Sequence, residues 1–258
     1  MALTINQKHS IQETLKNSLH NKFSRYNPEP AVMPFHTRLL GKDRLALYSF
    51  IHSLNTSFGT SIFEPVALAL GKTMFDNSLN QATAGKLISK KSEEVIQDIM
   101  NNLIAGRTKP NKKEEIERIR EVCQEGEMIV VKPTKVDVCF SNNDNSFYLF
   151  DIKTAKPNMG GFKEFKRTLL EWVAVTLSEN PKANINTLIA IPYNPYEPKP
   201  YSRWTMAGML DLEAELKVAN EFWDFIGGEG AYNDLLDCFE RVGIEMREEI
   251  DEYFSRFK

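Results

Sequence analysis

The feature that most constrains this chain is a change of hydrophobic period part-way along it. Residues 127–131, 135–140 and 147–153 are short, rich in β-branched and aromatic residues, and separated by turn formers. That pattern reads as three strands. The polar connector 141–146 (SNNDNS) suits an antiparallel hairpin between the last two. After a loop at 157–161, Phe162, Phe165, Leu169, Val173 and Leu177 recur at helical spacing for about five turns. Residues 186–191 (NTLIAI) then read as a strand buried on both faces.

The segments before and after this core read as helices. Ile11, Leu15 and Leu19 fall at four-residue steps, and Asp43 is placed to cap a helix striped by Leu47, Phe50, Ile51, Leu54 and Phe58. Beyond the Gly59-Thr60-Ser61 break, Glu64 and Pro65 read as a helix start, where proline is tolerated. Ser92 opens a helix closed by Gly106, and Asn111 opens one with Ile116, Ile119 and Cys123 on one face. From Leu210 the chain reads as helical and acidic. The order predicts an α/β sandwich with a small mixed sheet, in one domain. Its catalytic core spans about 60–205, with helical additions at 1–59 and 206–258.

With 258 residues the chain can bury a substantial core, and no apolar run is long enough to cross a bilayer. The start has no charged-then-apolar leader, and three scattered cysteines (Cys123, Cys139, Cys238) suit reduced thiols. A cytoplasmic protein without a membrane partner is the expectation. Net charge is −3, yet residues 205–258 hold fourteen Asp/Glu against five Lys/Arg, which leaves +6 on residues 1–204. Local positive potential for a polyanion is therefore available in the first four-fifths.

Asp151 and Lys153, two apart in FDIK, point to the same face of their strand. Asp137 lies thirteen intervening residues earlier, on the strand that folds back beside it. The neighbours Val136, Val138, Leu149, Phe150 and Ile152 are apolar, so charges placed there need partners or a metal. Two converging carboxylates supply hard oxygens for Mg²⁺, which can activate a water and polarise a phosphodiester. Lys153 can hold that water or offset charge at phosphorus. Glu64 is the candidate third carboxylate. The same three residues also fit a solvated cross-strand salt bridge on an ordinary hairpin.

The order strand, strand, helix, strand with Asp…Asp-x-Lys resembles the PD-(D/E)XK nuclease fold, although Val136 replaces the proline before Asp137. Residues 39–71, 135–158 (KVDVCFSNNDNSFYLFDIKTAKPN) and 188–204 together resemble Type II restriction endonucleases of the TdeIII/MjaII kind. That resemblance implies cleavage of double-stranded DNA at a short palindrome, GGNCC-like, with Mg²⁺ as cofactor. It also implies a homodimer, a cognate methyltransferase as genetic partner, and catalysis by Asp137, Asp151, Lys153 and Glu64. A nuclease of the same fold for repair or structure-specific cutting shares the metal site. A non-catalytic DNA-binding or helical interaction protein would keep only the salt bridge.

The segment 193–204 (YNPYEPKPYSRW) is either a stiff connector or a DNA-facing loop offering Asn194, Lys199 and Arg203 to bases. Lys156, Lys163, Lys166 and Arg167 are candidates for phosphate contacts, or belong to a solvated helix face. The dispersed histidines His9, His20, His36 and His52 read as structural, and Gly71-Lys72-Thr73 lacks the glycine spacing of a phosphate loop.

Overall fold

The computed structural model describes residues 3–25, 33–132, 134–153, 156–157, 161–202 and 206–255. Along the chain, α1 (Ile5–Arg25), α2 (Pro34–Leu40) and α3 (Lys42–Phe58) lead through a π-helical turn, Gly59–Phe63, into α4 (Glu64–Gly71). Two strands follow, β1 (Asn77–Thr83) and β2 (Leu87–Ser89), then α5 (Lys90–Ile104), α6 (Lys112–Val122) and β3 (Met128–Val130). The hairpin is β4 (Lys135–Ser141) and β5 (Ser146–Ile152), succeeded by α7 (Phe162–Glu179) and β6 (Asn184–Ile191). The chain continues with β7 (Leu216–Val218), α8 (Asn220–Gly227), α9 (Ala231–Glu245) and α10 (Arg247–Ser255).

Five of these strands form one mixed sheet in the order β1-β4-β5-β6-β7, while β2 and β3 pair apart from it. β4 and β5 are antiparallel, with Val138 opposite Phe150 and Phe140 opposite Tyr148. At their connector, Asn145 takes a φ of 70°, a left-handed value that asparagine tolerates. β5 and β6 are parallel, so their connection must cross the sheet, and α7 makes that crossing. Helices cover both faces. One core joins α5, α6 and α7 to Leu149, Ile185, Ile189 and Ile191; the other joins α1, α4, α8 and α9 to Val138, Phe140, Phe150 and Leu188. The result is a mixed α/β fold with a five-stranded sheet between helical layers. Among the described residues no helix is long and apolar enough to cross a membrane.

Several sequence expectations need correcting. β1 and β2 lie where helix was expected: β1 (NSLNQAT) is a polar edge strand with both faces partly open, so it carries no alternating apolar signal. β7 interrupts the C-terminal segment, which thus adds a strand to the sheet and does more than decorate it. The cap of α5 is Ser89, whose hydroxyl accepts from Ser92 N at 3.0 Å. Asp43 sits in the first turn of α3 without capping it. Of the α3 stripe, Phe50 is buried while Leu47 and Ile51 remain exposed. The acidic C-terminal helices pack on the body through Phe222, Leu235 and Phe239.

The last residue of α4, Gly71, is glycine for a steric reason. A Cβ there would lie 2.0 Å from Phe140 Cε1, and the Phe140 ring is itself fully buried and stacked on Phe75 at 4.7 Å. Close approach of α4 to β4 brings the start of α4 to the hairpin. Gly71→Ala is therefore expected to cost about 1–3 kcal/mol, read as a lowered urea midpoint; an unchanged midpoint would show that the ring can move aside.

Candidate active site

Each functional side chain is placed by its element. Extending the β4–β5 register one step past Val138 and Phe150 sets Asp137 across from Asp151, near the end of the sheet where β5 finishes and β4 begins. Asp137 Oδ2 accepts from Ile152 N at 2.8 Å, which clamps that carboxylate to the end of β5. Lys153 Nζ stands 2.5 Å from Asp151 Oδ1 and 5.0 Å from the centre of the Phe165 ring on α7. Glu64 opens α4 with Pro65 in its first turn, and is 2 % exposed. Gln81 of β1 donates from Nε2 to Glu64 Oε2 at 2.7 Å and lies 3.5 Å from Asp137 Oδ1. Thus Glu64, remote in sequence, meets the hairpin through an intervening amide.

The electrostatics separate this cluster from a solvated salt bridge. Three carboxylates, two of them buried, gather around one lysine. Burial pushes Asp137 up to about 7; the charges of Asp151 and Glu64 push the same way, against the Ile152 hydrogen bond and Lys153. Burial also raises Glu64, aided by Asp151 and opposed by Gln81, Lys135 and Lys153. Excess negative charge in a half-buried site calls for a cation. The donor set is all oxygen, which suits a hard divalent ion. Among the described residues no three His, Cys, Asp or Glu side chains stand at metal-binding spacing as they are. Mg²⁺ needs only one or two carboxylates, water and phosphate oxygens completing its octahedron.

This site sits in a chain whose residues 3–243 match the family model described as Type II restriction endonuclease, HinfI. The chain belongs to the HinfI family of Type II restriction endonucleases. Similar members include the Type II restriction enzyme MjaII of Methanocaldococcus jannaschii, 26% identical over 77% of this chain. The Type II restriction enzymes HgiCII and HgiEI of Herpetosiphon aurantiacus are 26% and 23% identical, each over 85% of this chain and 80% of their own length. The match spans 55% of the length of MjaII. The resemblance to Type II restriction endonucleases read from the sequence is borne out by this membership.

The basic residues singled out in this HinfI-family chain fare unequally. Lys166, expected from the sequence to contact phosphate, is instead fully buried, with Nζ 2.5 Å from Glu115 Oε2 and 2.7 Å from Glu215 Oε2, and cannot reach one. Arg167 Nη2 donates to Gln97 Oε1 at 2.6 Å, which ties it to α5. Asn194 is spent on its own loop, accepting from Tyr196 N at 3.0 Å and donating to Lys199 O at 2.7 Å. Lys156, Lys163 and Lys199 are exposed. Lys156 Nζ lies 5.1 Å from the Tyr196 ring centre, so the loop after β6 borders the segment that follows Lys153. Arg203 lies outside the described residues. Gln81 was missed from the sequence, since its strand was missed too.

Burial of Asp137 makes the stability of the fold depend on pH. The folded state holds a proton that an ordinary carboxyl, near 3.8, has already lost. This stabilisation is complete below about pH 4 and is lost as pH climbs through about 7. Asp137→Asn has no such proton to lose. In chelator, its melting temperature relative to wild type is expected to rise from pH 5 to about 7 and then level. A difference that is flat with pH would contradict this.

Proposed function

We propose that the protein is a sequence-specific Type II restriction endonuclease that hydrolyses double-stranded DNA with Mg²⁺ at Glu64, Asp137, Asp151 and Lys153. The core is taken as a PD-(D/E)XK nuclease core. The convergence of three carboxylates and one lysine at the end of β4 and β5 supports this reading most strongly, in a chain of this family. Type II restriction enzymes act on double-stranded DNA and generally use divalent metal ions.

Asp137 and Asp151, with Glu64 beside them, would hold the ion. Bound there it would supply Lewis-acid activation of a water and of the phosphodiester. Lys153 lies alongside Asp151, where its ammonium can orient the attacking water and offset charge on the phosphorus-bound oxygens. Ile152 N keeps the Asp137 carboxylate turned toward β5. Exposed Lys156 and Lys163 follow the active strand and can grip the DNA backbone without reading sequence. The loop carrying Lys199 and Arg203 is the candidate base reader. A palindrome, here taken as GGNCC-like, presents equivalent half-sites, which fits a two-fold homodimer acting in the cytoplasm. A cognate methyltransferase would be its genetic partner.

Plasmid DNA incubated with purified protein and Mg²⁺ is expected to give discrete fragments with 5′-phosphate and 3′-hydroxyl ends, and sequencing those ends yields the site. A smear, or cutting confined to forks and mismatches, would instead make this a repair or structure-specific nuclease. Intact plasmid across metals and salt would remove the nuclease reading.

A further inference from the structure

Gln81 is the member of this cluster that neither residue type nor sequence context announces. The β1–β4 register is the same on both sides of it, with Asn80 opposite Val138 and Ala82 opposite Val136. Gln81 therefore faces Asp137 across the ladder. Yet its φ is 50°, a left-handed backbone value that is unfavourable for a residue with a Cβ and persists where the surroundings enforce it. In that conformation its amide joins elements that nothing local would bring together: Nε2 donates to Glu64 Oε2 of α4 at 2.7 Å and lies 3.5 Å from Asp137 Oδ1 of β4.

The choice of an amide has chemical consequences. A carboxylate accepts only, and the NH₂ of glutamine offers two protons and no net charge. It can therefore bridge two acidic groups without neutralising them. A lysine there would form ion pairs and compete with an incoming cation, whereas an apolar residue would take the amide from Glu64 and leave Asp137 held by Ile152 N alone. We propose that Gln81 is a positioning residue of the metal site, its amide holding Glu64 and Asp137 at the separation from which they close on a divalent cation. The proposal rests on the metal-dependent reading of the cluster. Partners of this kind, hydrogen-bonded to the ligands, typically contribute about 10–100-fold to metal affinity.

The test is Mn²⁺ binding by titration calorimetry on the whole protein, for wild type, Gln81→Leu, Gln81→Gly and Asp151→Asn. Leucine removes the amide at similar size. Glycine removes it while accepting the left-handed backbone without strain, so this variant keeps the fold if leucine disturbs it, and its melting temperature in chelator verifies that. Both Gln81 variants are expected to bind Mn²⁺ about 10–100-fold more weakly than wild type, with unchanged stoichiometry. A folded Gln81→Gly protein with wild-type Mn²⁺ affinity would overturn the Gln81 proposal alone, provided that Asp151→Asn has lost binding. Failure of the wild type to bind Mn²⁺, or full binding by Asp151→Asn, would overturn the metal reading and the Gln81 proposal with it.

Discussion

Replacing Asp151 by alanine is expected to lower the rate of DNA cleavage by about 10³-fold or more, since a metal site supplies several kcal/mol and each 1.36 kcal/mol is about tenfold. Asp151 is buried beside Asp137 and pairs with Lys153, so its loss removes a proposed ligand and leaves Lys153 without its anion. Lys153→Ala is expected to be similarly slow for the opposite reason. It leaves the carboxylates in place and removes the cation that partly offsets them, so metal affinity should hold or rise while the rate falls. Rates at saturating Mg²⁺ together with metal titrations separate the two roles. If either variant cut DNA at a rate near wild type, that residue would have no part in the chemistry.

The largest stability effect is expected at Glu215. Burial alone would raise its carboxyl, but Lys112 and Lys166 together hold it below the usual range. Its Oε1 accepts from Lys112 at 2.9 Å and its Oε2 from Lys166 at 2.7 Å and from Asp211 N at 2.9 Å. Lys112 also donates to Thr187 Oγ1 at 2.6 Å, and Lys166 pairs with Glu115. This buried set ties the start of α6, α7 and β6 to the approach to β7. Glu215→Ala would leave buried Lys112 without an anionic partner and buried Lys166 with Glu115 alone, at a cost of about 3–5 kcal/mol. For a chain of this size that lowers the melting temperature on the order of 10 °C. Chemical denaturation followed by circular dichroism measures it; a loss below about 1 kcal/mol would mean that water reaches the lysines.

How much of this was legible in the sequence depended on whether burial left a periodic mark. The hairpin, α7 and β6 were legible because their apolar residues repeat at strand or helix spacing, and FDIK stood out as charge inside such a strand. Glu64 was legible as a helix start through Pro65, but its meeting with Asp137 across some seventy residues is a product of packing. β1 was not legible: an edge strand pairs on one side and does not need an apolar face, so NSLNQAT looks like loop or helix. Gln81 was lost with it. The three residues of β7 are too few to show a period. Lys166 shows a signal that was available. It falls four residues after Phe162 and three before Leu169, within the buried stripe of α7, so its spacing pointed inward even though its charge suggested phosphate.

The carboxylates where β5 ends and β4 begins are proposed to form a divalent-metal site for phosphodiester hydrolysis. Its most direct test is the anomalous scattering of Mn²⁺ in crystals of the whole protein. The expected result is a peak about 2–2.5 Å from carboxylate oxygens of both Asp137 and Asp151, on the side where Glu64 and Lys153 approach. Crystals equilibrated with Mn²⁺ that show no density there, or density only elsewhere on the molecule, would contradict it.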